Sequence, residues 1–226
     1  MLRLGLLGKD IQRSRSKEMY EKLLSEEVDY TLFDHDSREE IPSLELFFEK
    51  VQGLSITAPY KKHFLDTVKM NQDIKKLNAI NCIKKVDDEF HGTNTDFLAC
   101  VEILKPYFEK DLIFYILGDG SMSKVLQILL KTYDQTFEVR SRRLGNLINN
   151  SYVNLEHKKN YLIINTCHRD FHFEEDIDDG LEVYWDLNYG VARPEIFNGE
   201  NSKKYVDGME LLFLQAKYAL QFWGIN

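Results

Sequence analysis

The chain is poor in the residues that mark several classes of protein. Of its 226 residues only 4 are proline and 3 are cysteine. Cys82, Cys100 and Cys167 form no C-x-x-C pair, which argues against a disulfide scaffold or a cysteine-rich zinc module and favours free thiols in a reducing cytoplasm. Basic residues are also in deficit, because 29 Lys+Arg against 37 Asp+Glu leave a net charge of −8. This balance disfavours nucleic acid as a partner.

Long apolar runs are missing too. No stretch approaches the roughly 20 residues that a membrane-spanning helix needs, so no membrane partner is expected. The apolar segment 1–8 is too short for a signal-peptide core and predicts a buried first strand. The remaining composition, 43% hydrophobic and 29% charged, is typical of a globular protein of one or two domains.

Short apolar runs alternate with helical stretches along the first hundred residues. This alternation predicts an α/β fold with a largely parallel sheet. The predicted strands cover 2–7, 30–33 and 53–57, the predicted helices cover 16–25 and 41–50, and a hairpin joins 79–83 to 89–92.

The second half repeats the pattern around a continuous apolar strand of the buried parallel kind at 112–117. The other elements predicted there are helices at 97–104, 122–132 and 207–223 and strands at 136–139, 161–164 and 182–185. We place a domain boundary near 97–105. The expected domains are therefore 1–100, with the C-terminal helix 207–226 packing back on it, and 101–206.

A glycine turn follows the strand at 112–117. Gly118-x-Gly120 leads directly into the next predicted helix, as in a dinucleotide-binding unit, where the glycines let a pyrophosphate approach the helix N-terminus. The third glycine of that fingerprint is absent, so a bare strand-to-helix turn is the alternative. About 20 residues on, Arg140, Arg142 and Arg143 suit the 2′-phosphate of NADP, although a solvated basic turn fits equally well.

Polar clusters end several apolar runs in the first half. Ligands of open α/β sheets bind beyond the carboxyl ends of the strands, so these clusters are candidate site residues. They are Ser14 and Ser16, Thr57 and Lys61, Asn81, and Asn94 with Asp96.

These clusters resemble the motifs of the shikimate dehydrogenase family. Residues 55–61 read SITAPYK against the family's N-V-T-x-P-x-K, and 92–96 read GTNTD against G-x-N-T-D. The weaker matches are GKDIQRSRSK at 8–17 to G-x-P-I-x-H-S-x-S-P, AINC at 79–82 to A-V-N-T, DLNY at 186–189 to D-x-x-Y, and GMELLFLQA at 208–216 to G-x-x-M-L-x-x-Q-A. The motif order is kept over nearly the whole chain.

The resemblance implies a substrate-binding α/β domain followed by a Rossmann-like NADP-binding domain, which is shortened here. It further implies reversible, NADP-dependent reduction of 3-dehydroshikimate to shikimate, a step of chorismate and aromatic amino acid biosynthesis. Lys61 would exchange the proton with the substrate, and Asp96 would hold the Lys61 side chain in place. The substrate-binding residues implied are Ser14, Ser16, Thr57, Asn81, Gln215 and Tyr189, and the cofactor-binding residues are Gly118, Gly120, Ser121, Ser141, Arg142, Arg143 and Gly208.

Two other functions remain open from the sequence. One is a relative that acts on quinate or another polyol acid. The other is a catalytically weak member that binds a ligand, which the reduced glycine turn and the shortened cofactor half support. The expected partners are a small-molecule substrate and NADP, with no metal, no nucleic acid and no membrane, in a cytoplasmic monomer or homodimer.

Overall fold

The computed structural model describes residues 1–146, 160–173 and 177–225. The chain divides into two compact units, the first made of Met1–Ala99 with Leu212–Asn226 and the second of Cys100–Leu211. Each unit holds a five-stranded sheet. Among the described residues, no helix has the length and apolar character needed to cross a membrane.

The first unit begins with three parallel strands and ends in a hairpin. Its sheet has the order β2-β1-β3-β4-β5, in which β1 pairs in parallel with β2 and β3, whereas β3, β4 and β5 pair antiparallel. The sheet is therefore mixed, and the expectation of a largely parallel sheet is wrong for this half. The elements are β1 (Leu2–Gly8), α1 (Ser16–Leu24), β2 (Val28–Asp34), α2 (Leu44–Phe48), β3 (Gly53–Ile56), α3 (Gln72–Leu77), β4 (Cys82–Val86), β5 (Glu89–Thr93) and α4 (Thr95–Leu104).

Most elements of this unit agree with the sequence pattern, with differences at two helices. The helix predicted over 41–50 is confined to α2, because Arg38–Glu40 before it form a separate short 3-10 turn. The structure adds α3, which no pattern indicated. This helix has only six residues, and its first turn is closed by Asn71, whose side chain accepts a hydrogen bond from the N–H of Ile74 at 2.8 Å.

The second unit has a fully parallel sheet in the order β10-β9-β8-β6-β7. Because β6 pairs with both β7 and β8, the winding direction reverses beside β6. Such a reversal creates a crevice at the carboxyl ends of the strands. The elements are β6 (Leu112–Leu117), α5 (Ser121–Thr132), β7 (Phe137–Arg140), β8 (Asn160–Asn165), β9 (Leu181–Asp186) and β10 (Tyr205–Val206), with 3-10 turns at Lys105–Tyr107, Glu195–Phe197 and Gly199–Lys204. The last helix, α6 (Met209–Trp223), belongs to the first unit from Leu212 onward.

The described part of the second unit contains few helices. Between β6 and β10, α5 is the α-helix that the described residues show. One face of the sheet is instead covered by irregular chain, which brings Phe173 and Phe197 against Tyr161 and Tyr184. The predicted loss of one strand–helix unit concerns the segment between β7 and β8, where residues 147–159 lie outside the described part of the chain. It stays a prediction.

Candidate active site

A buried ion pair lies at the centre of the first unit's polar residues. Lys61 Nζ is 2.7 Å from Asp96 Oδ2, and the two side chains are 13% and 10% exposed. The structure therefore brings together the two residues that the sequence analysis selected for proton transfer. A charge-assisted hydrogen bond at this distance fixes the direction of both side chains.

Local backbone bonds place each member of that pair. The N–H of Thr57 donates to the carbonyl of Leu7 at 2.8 Å, which ties the turn after β3 to the end of β1. Asp96 lies in the first turn of α4, where Asn94 caps the helix by accepting from the N–H of Phe97 at 3.0 Å. A carboxylate is favourable at a helix N-terminus because of the helix dipole. Asn94 is fully buried and acts as this cap.

Asn81 joins three segments of the first unit. Its Oδ1 accepts from the N–H of Thr95 at 2.7 Å, and its Nδ2 donates to Thr95 Oγ1 at 3.0 Å and to Gln215 Oε1 at 3.4 Å. Two predicted site residues, Asn81 and Gln215, are thus in contact although 134 positions separate them. The bond commits the amide oxygen of Gln215, so its NH2 group is the part that can donate to a ligand.

Ser14 and Ser16 form a hydroxyl pair at the start of α1. Their Oγ atoms are 3.1 Å apart, and the N–H of Ser16 donates to Ser14 Oγ at 3.3 Å. The N-cap position is occupied by Arg15, so Ser16 does not take the capping role that the sequence left open for it. Two adjacent hydroxyls at a helix N-terminus can donate to a carboxylate.

Asp34 orders the loop that carries this serine pair. It accepts from the N–H of Asp10 at 2.8 Å and from the side chain of Gln12 at 3.0 Å. The hydrogen bond from Gln12, followed by those of the backbone N–H groups, lowers the pKa of Asp34 below its ordinary value. The end of β2 therefore fixes the chain that follows β1.

The sequence analysis missed three neighbours of these residues. Thr95 lies inside the G-x-N-T-D match, and its backbone and hydroxyl anchor Asn81. Tyr20 and Ser55 are joined through their hydroxyls at 2.9 Å. Burial raises the pKa of Tyr20 well above its ordinary value, so the phenol stays protonated. Ser55 could have been found from its position in the second motif, where the family has asparagine. No local sequence pattern indicated Tyr20.

The glycine turn of the second unit has the form that a phosphate site needs. Gly118 has φ +99°, and a Cβ there would lie 2.7 Å from Thr166 Oγ1. A Cβ on Gly120 would meet nothing within 4 Å, so that glycine faces open space. Ser121 is the first residue of α5 and is exposed, so the first N–H groups of the helix can point at a ligand. These features fit the pyrophosphate of a dinucleotide.

The arginines after β7 differ in their surroundings. Arg142 is exposed, and its charge acts on Cys167, although burial still raises the pKa of that thiol to about 11. Arg143 Nε lies 2.9 Å from Asp119 Oδ2. Ser141, which was predicted to bind the cofactor, is 3% exposed, and its hydroxyl accepts from the N–H of Leu144 at 3.2 Å. Ser141 closes the loop that presents the two arginines.

Gly208 also has a role within the chain. A Cβ at this position would lie 2.2 Å from the carbonyl oxygen of Leu187, and the N–H of Gly208 donates to the carbonyl of Asn188 at 2.9 Å. The glycine is buried, and close backbone packing accounts for it. The sequence analysis had assigned Gly208 to the cofactor, and the structure gives no open face there comparable with that of Gly120.

Tyr189 follows β9 in the second unit, whereas the other predicted substrate-binding residues lie in the first. Its loop is held by Asp186, whose Oδ1 accepts from the N–H and the Nδ2 of Asn188, both at 2.9 Å, and from Asn165 Nδ2 at 3.1 Å. Burial raises the pKa of Asp186 despite these hydrogen bonds. The carboxyl ends of β8 and β9 are therefore linked by a compact polar network.

Known proteins are similar to this chain along nearly its whole length. The sequence model of the shikimate dehydrogenase substrate binding domain matches residues 6–83. A shikimate dehydrogenase (NADP(+)) of Clostridium beijerinckii is 27% identical over 246 residues, which cover 97% of this chain and 90% of that protein. A shikimate dehydrogenase (NADP(+)) of Saccharolobus solfataricus is 25% identical over 244 residues, covering 97% of this chain and 88% of that protein. The chain is therefore similar to shikimate dehydrogenases along nearly its whole length.

Solved structures of this family share the fold. The Thermus thermophilus shikimate 5-dehydrogenase, whose structure contains NADP(H) and shikimate, aligns with a TM-score of 0.74 at 20% identity over 99% of this chain and 93% of that one. Against the motifs of the shikimate dehydrogenase family, this chain differs at Arg13, Lys17, Ser55 and Cys82. A further difference is Asp119, an acidic residue inside the glycine turn.

Proposed function

We propose that this protein is an NADP-dependent shikimate dehydrogenase that reversibly reduces 3-dehydroshikimate to shikimate. The observation that carries the proposal is the buried ion pair of Lys61 and Asp96, joined at 2.7 Å, in which Lys61 lies within the matched segment 6–83. Curated relatives that align with 97% of the chain are named shikimate dehydrogenase (NADP(+)). In this role the enzyme acts in the biosynthesis of chorismate and aromatic amino acids.

Lys61 carries the proton in the proposed reaction. A carbonyl oxygen that becomes an alkoxide needs a donor within about 2.6–3.2 Å, and the Lys61 ammonium supplies it. Asp96 positions Lys61 and can accept from a substrate hydroxyl with its second oxygen. In the oxidation direction, Lys61 takes the hydroxyl proton back. A bound dinucleotide supplies the hydride.

The remaining polar residues of the first unit suit a small hydroxylated acid. Ser14 and Ser16 would donate to its carboxylate, while Thr57, Asn81 and Gln215 would bind its ring hydroxyls. Asn81 is held by internal hydrogen bonds, so it presents a fixed geometry to the ligand. Unpaired donors left in such a site penalise substrates that lack matching hydroxyls. We assign Tyr189 to the same substrate from its motif position alone.

The second domain, expected from the sequence over residues 101–206, would hold the NADP. Gly118 permits the tight turn against Thr166, Gly120 leaves room for the pyrophosphate, and the N-terminal N–H groups of α5 from Ser121 onward would bind it. Arg142 and Arg143 would bind the 2′-phosphate, since a guanidinium pairs with phosphate through two hydrogen bonds. We place the enzyme in the cytoplasm as a monomer or homodimer. The free thiols of Cys82, Cys100 and Cys167 suit a reducing compartment.

The assay that tests this function follows nicotinamide absorbance when shikimate is added to the protein with NADP. We expect NADPH to form at a rate that saturates with shikimate, and a parallel series with quinate compares the two acids by kcat/KM. A protein that binds NADPH in a fluorescence titration but turns over neither acid would contradict the catalytic proposal. It would favour the ligand-binding alternative.

One observation supports the alternative of a different polyol acid. Ser55 replaces the asparagine of the second family motif, and its hydroxyl is bonded to Tyr20 at 2.9 Å. This position therefore offers a substrate neither an amide nor an uncommitted hydroxyl. If kcat/KM for quinate exceeds that for shikimate, the substrate assignment changes while the reaction class stands.

A further inference from the structure

An ion pair connects the glycine turn to the arginine loop of the second unit. Asp119 Oδ2 lies 2.9 Å from Arg143 Nε, with side-chain exposures of 29% and 77%. Asp119 stands between Gly118 and Gly120, immediately before α5. Arg143 belongs to the loop after β7. The carboxylate of the glycine turn thus reaches the loop that reads the adenosine ribose in a dinucleotide-binding unit.

This pair changes what the arginine loop can offer to a phosphate. A guanidinium has five N–H donors arranged to grip an anion along one edge. Asp119 occupies the Nε of Arg143, so a phosphate must compete with a carboxylate already in place. Among the described residues, no carboxylate pairs with Arg142 in this way. The positive charge of Arg142 acts instead on the Cys167 thiol. The two adjacent arginines are therefore unequal.

We propose that Asp119 is a specificity-determining residue that weakens the preference of this enzyme for NADP over NAD. It does so by holding Arg143 and by placing negative charge beside the ribose 2′ position. A carboxylate at that position disfavours a 2′-phosphate and accepts a hydrogen bond from a free 2′-hydroxyl. The inference rests on the proposed function, in which this unit binds a nicotinamide dinucleotide.

The test compares the dissociation constants of NADPH and NADH, measured by fluorescence titration of the intact protein. In Asp119→Asn the ratio of the NADH constant to the NADPH constant should rise roughly tenfold. A tenfold change corresponds to the lower end of the free energy that a hydrogen bond to a charged group contributes. The lower end applies because Arg143 is exposed. Asp119→Ser should raise the ratio in the same way, which guards against an effect particular to asparagine.

A matched control removes the same charge at the other end of α5. Asp134 is exposed and has φ +52°, a conformation that asparagine tolerates. Asp134→Asn should leave the ratio of the two constants unchanged. In Arg143→Gln the ratio should fall, because the variant loses a donor to the 2′-phosphate and leaves the Asp119 carboxylate without the Arg143 guanidinium. Adding Arg143→Gln to Asp119→Asn should reduce the gain that Asp119→Asn produces.

The outcomes separate this inference from the proposed function. If Asp119→Asn tightens NADPH and NADH equally, Asp119 acts on the pyrophosphate that both share, and the inference is wrong. An unchanged or lower ratio also overturns it. If the wild-type protein binds neither dinucleotide, the proposed function fails, and the specificity role of Asp119 fails with it.

Discussion

The two units hold their candidate residues in different ways. In the first unit Lys61, Asp96 and Asn81 are at least half-buried, and each is tied to another element by a side-chain hydrogen bond of 3.0 Å or less. In the second unit Gly120, Arg142 and Arg143 are exposed. The first arrangement fixes geometry, as proton transfer requires, since its efficiency depends on distance. In the second arrangement the hydrogen-bond donors are exposed, and a bound ligand would fix their positions.

This contrast predicts where substitutions act. Changes in the buried cluster should alter stability and turnover together, because its members support one another. Changes on the exposed face should alter ligand affinity and leave unfolding untouched.

The largest effect is expected for Lys61→Ala. Loss of the proton donor should lower kcat by about 10²–10⁴-fold. Asp96 would be left as a poorly solvated charge, which should lower the free energy of unfolding by about 1–3 kcal/mol. The dipole of α4 moderates that loss. Steady-state kinetics and thermal unfolding measure the two effects.

Lys62→Ala is the control for this substitution. Lys62 is the exposed neighbour, so its removal should leave both kcat and the melting temperature near wild type. A Lys61→Ala enzyme with unchanged kcat would remove Lys61 from the mechanism.

An intermediate effect separates two glycines of the second unit. In Gly208→Ala the new methyl would overlap the Leu187 carbonyl, which a Cβ would meet at 2.2 Å. We expect a loss of about 1–3 kcal/mol in the free energy of unfolding, measured by urea denaturation.

Gly120→Ala should instead unfold like the wild type, because its Cβ meets nothing within 4 Å. Its NADPH affinity should fall roughly tenfold, because the new methyl would occupy the open space that the pyrophosphate needs and would weaken a hydrogen bond to a charged group. Equal unfolding losses in Gly120→Ala and Gly208→Ala would contradict the distinction between an open glycine and a packed one.

The sequence could predict the fold class because its signals are local. The apolar run at β6 and the glycine turn after it are contiguous, and so are the strong motif matches that contain Lys61 and Asp96. The meeting of these two side chains was expected from the motifs, and the structure shows it. The antiparallel hairpin of β4 and β5 was also predicted locally, whereas the short helix α3 and the antiparallel pairing of β3 with β4 depend on tertiary contacts that no local pattern records.

The burial of two predicted cofactor residues was not visible in the sequence. Ser141 and Gly208 were selected by residue type and motif position, which do not report burial. A serine can close its own loop, and a glycine can be required by a neighbouring carbonyl as readily as by a phosphate. The pair of Asp119 and Arg143 was equally hidden, because 24 residues separate its members along the chain and sequence reasoning treated them as independent.

The smallest effect tests the buried network around Asp186. Burial raises its pKa above the ordinary value of 3.8, so the folded protein binds this proton more tightly than the unfolded chain. Its contribution to stability is therefore full below pH 3.8 and is lost as the pH rises through the folded-state pKa. Asp186→Asn keeps an oxygen for the donors from Asn165 and Asn188 and adds an NH2 group that can donate to the Tyr205 hydroxyl.

The variant should consequently gain stability relative to the wild type as the pH rises from the acidic range toward neutrality. Urea unfolding of both proteins across that range measures the difference, in which the other titrating groups cancel. A difference that is independent of pH would mean that Asp186 ionises alike in the folded and unfolded states. If the variant instead loses stability relative to the wild type as the pH rises, the hydrogen bonds of Asp186 outweigh its burial and stabilise the charged form. Hydrogen bonds have this effect at the exposed Asp34 of the first unit.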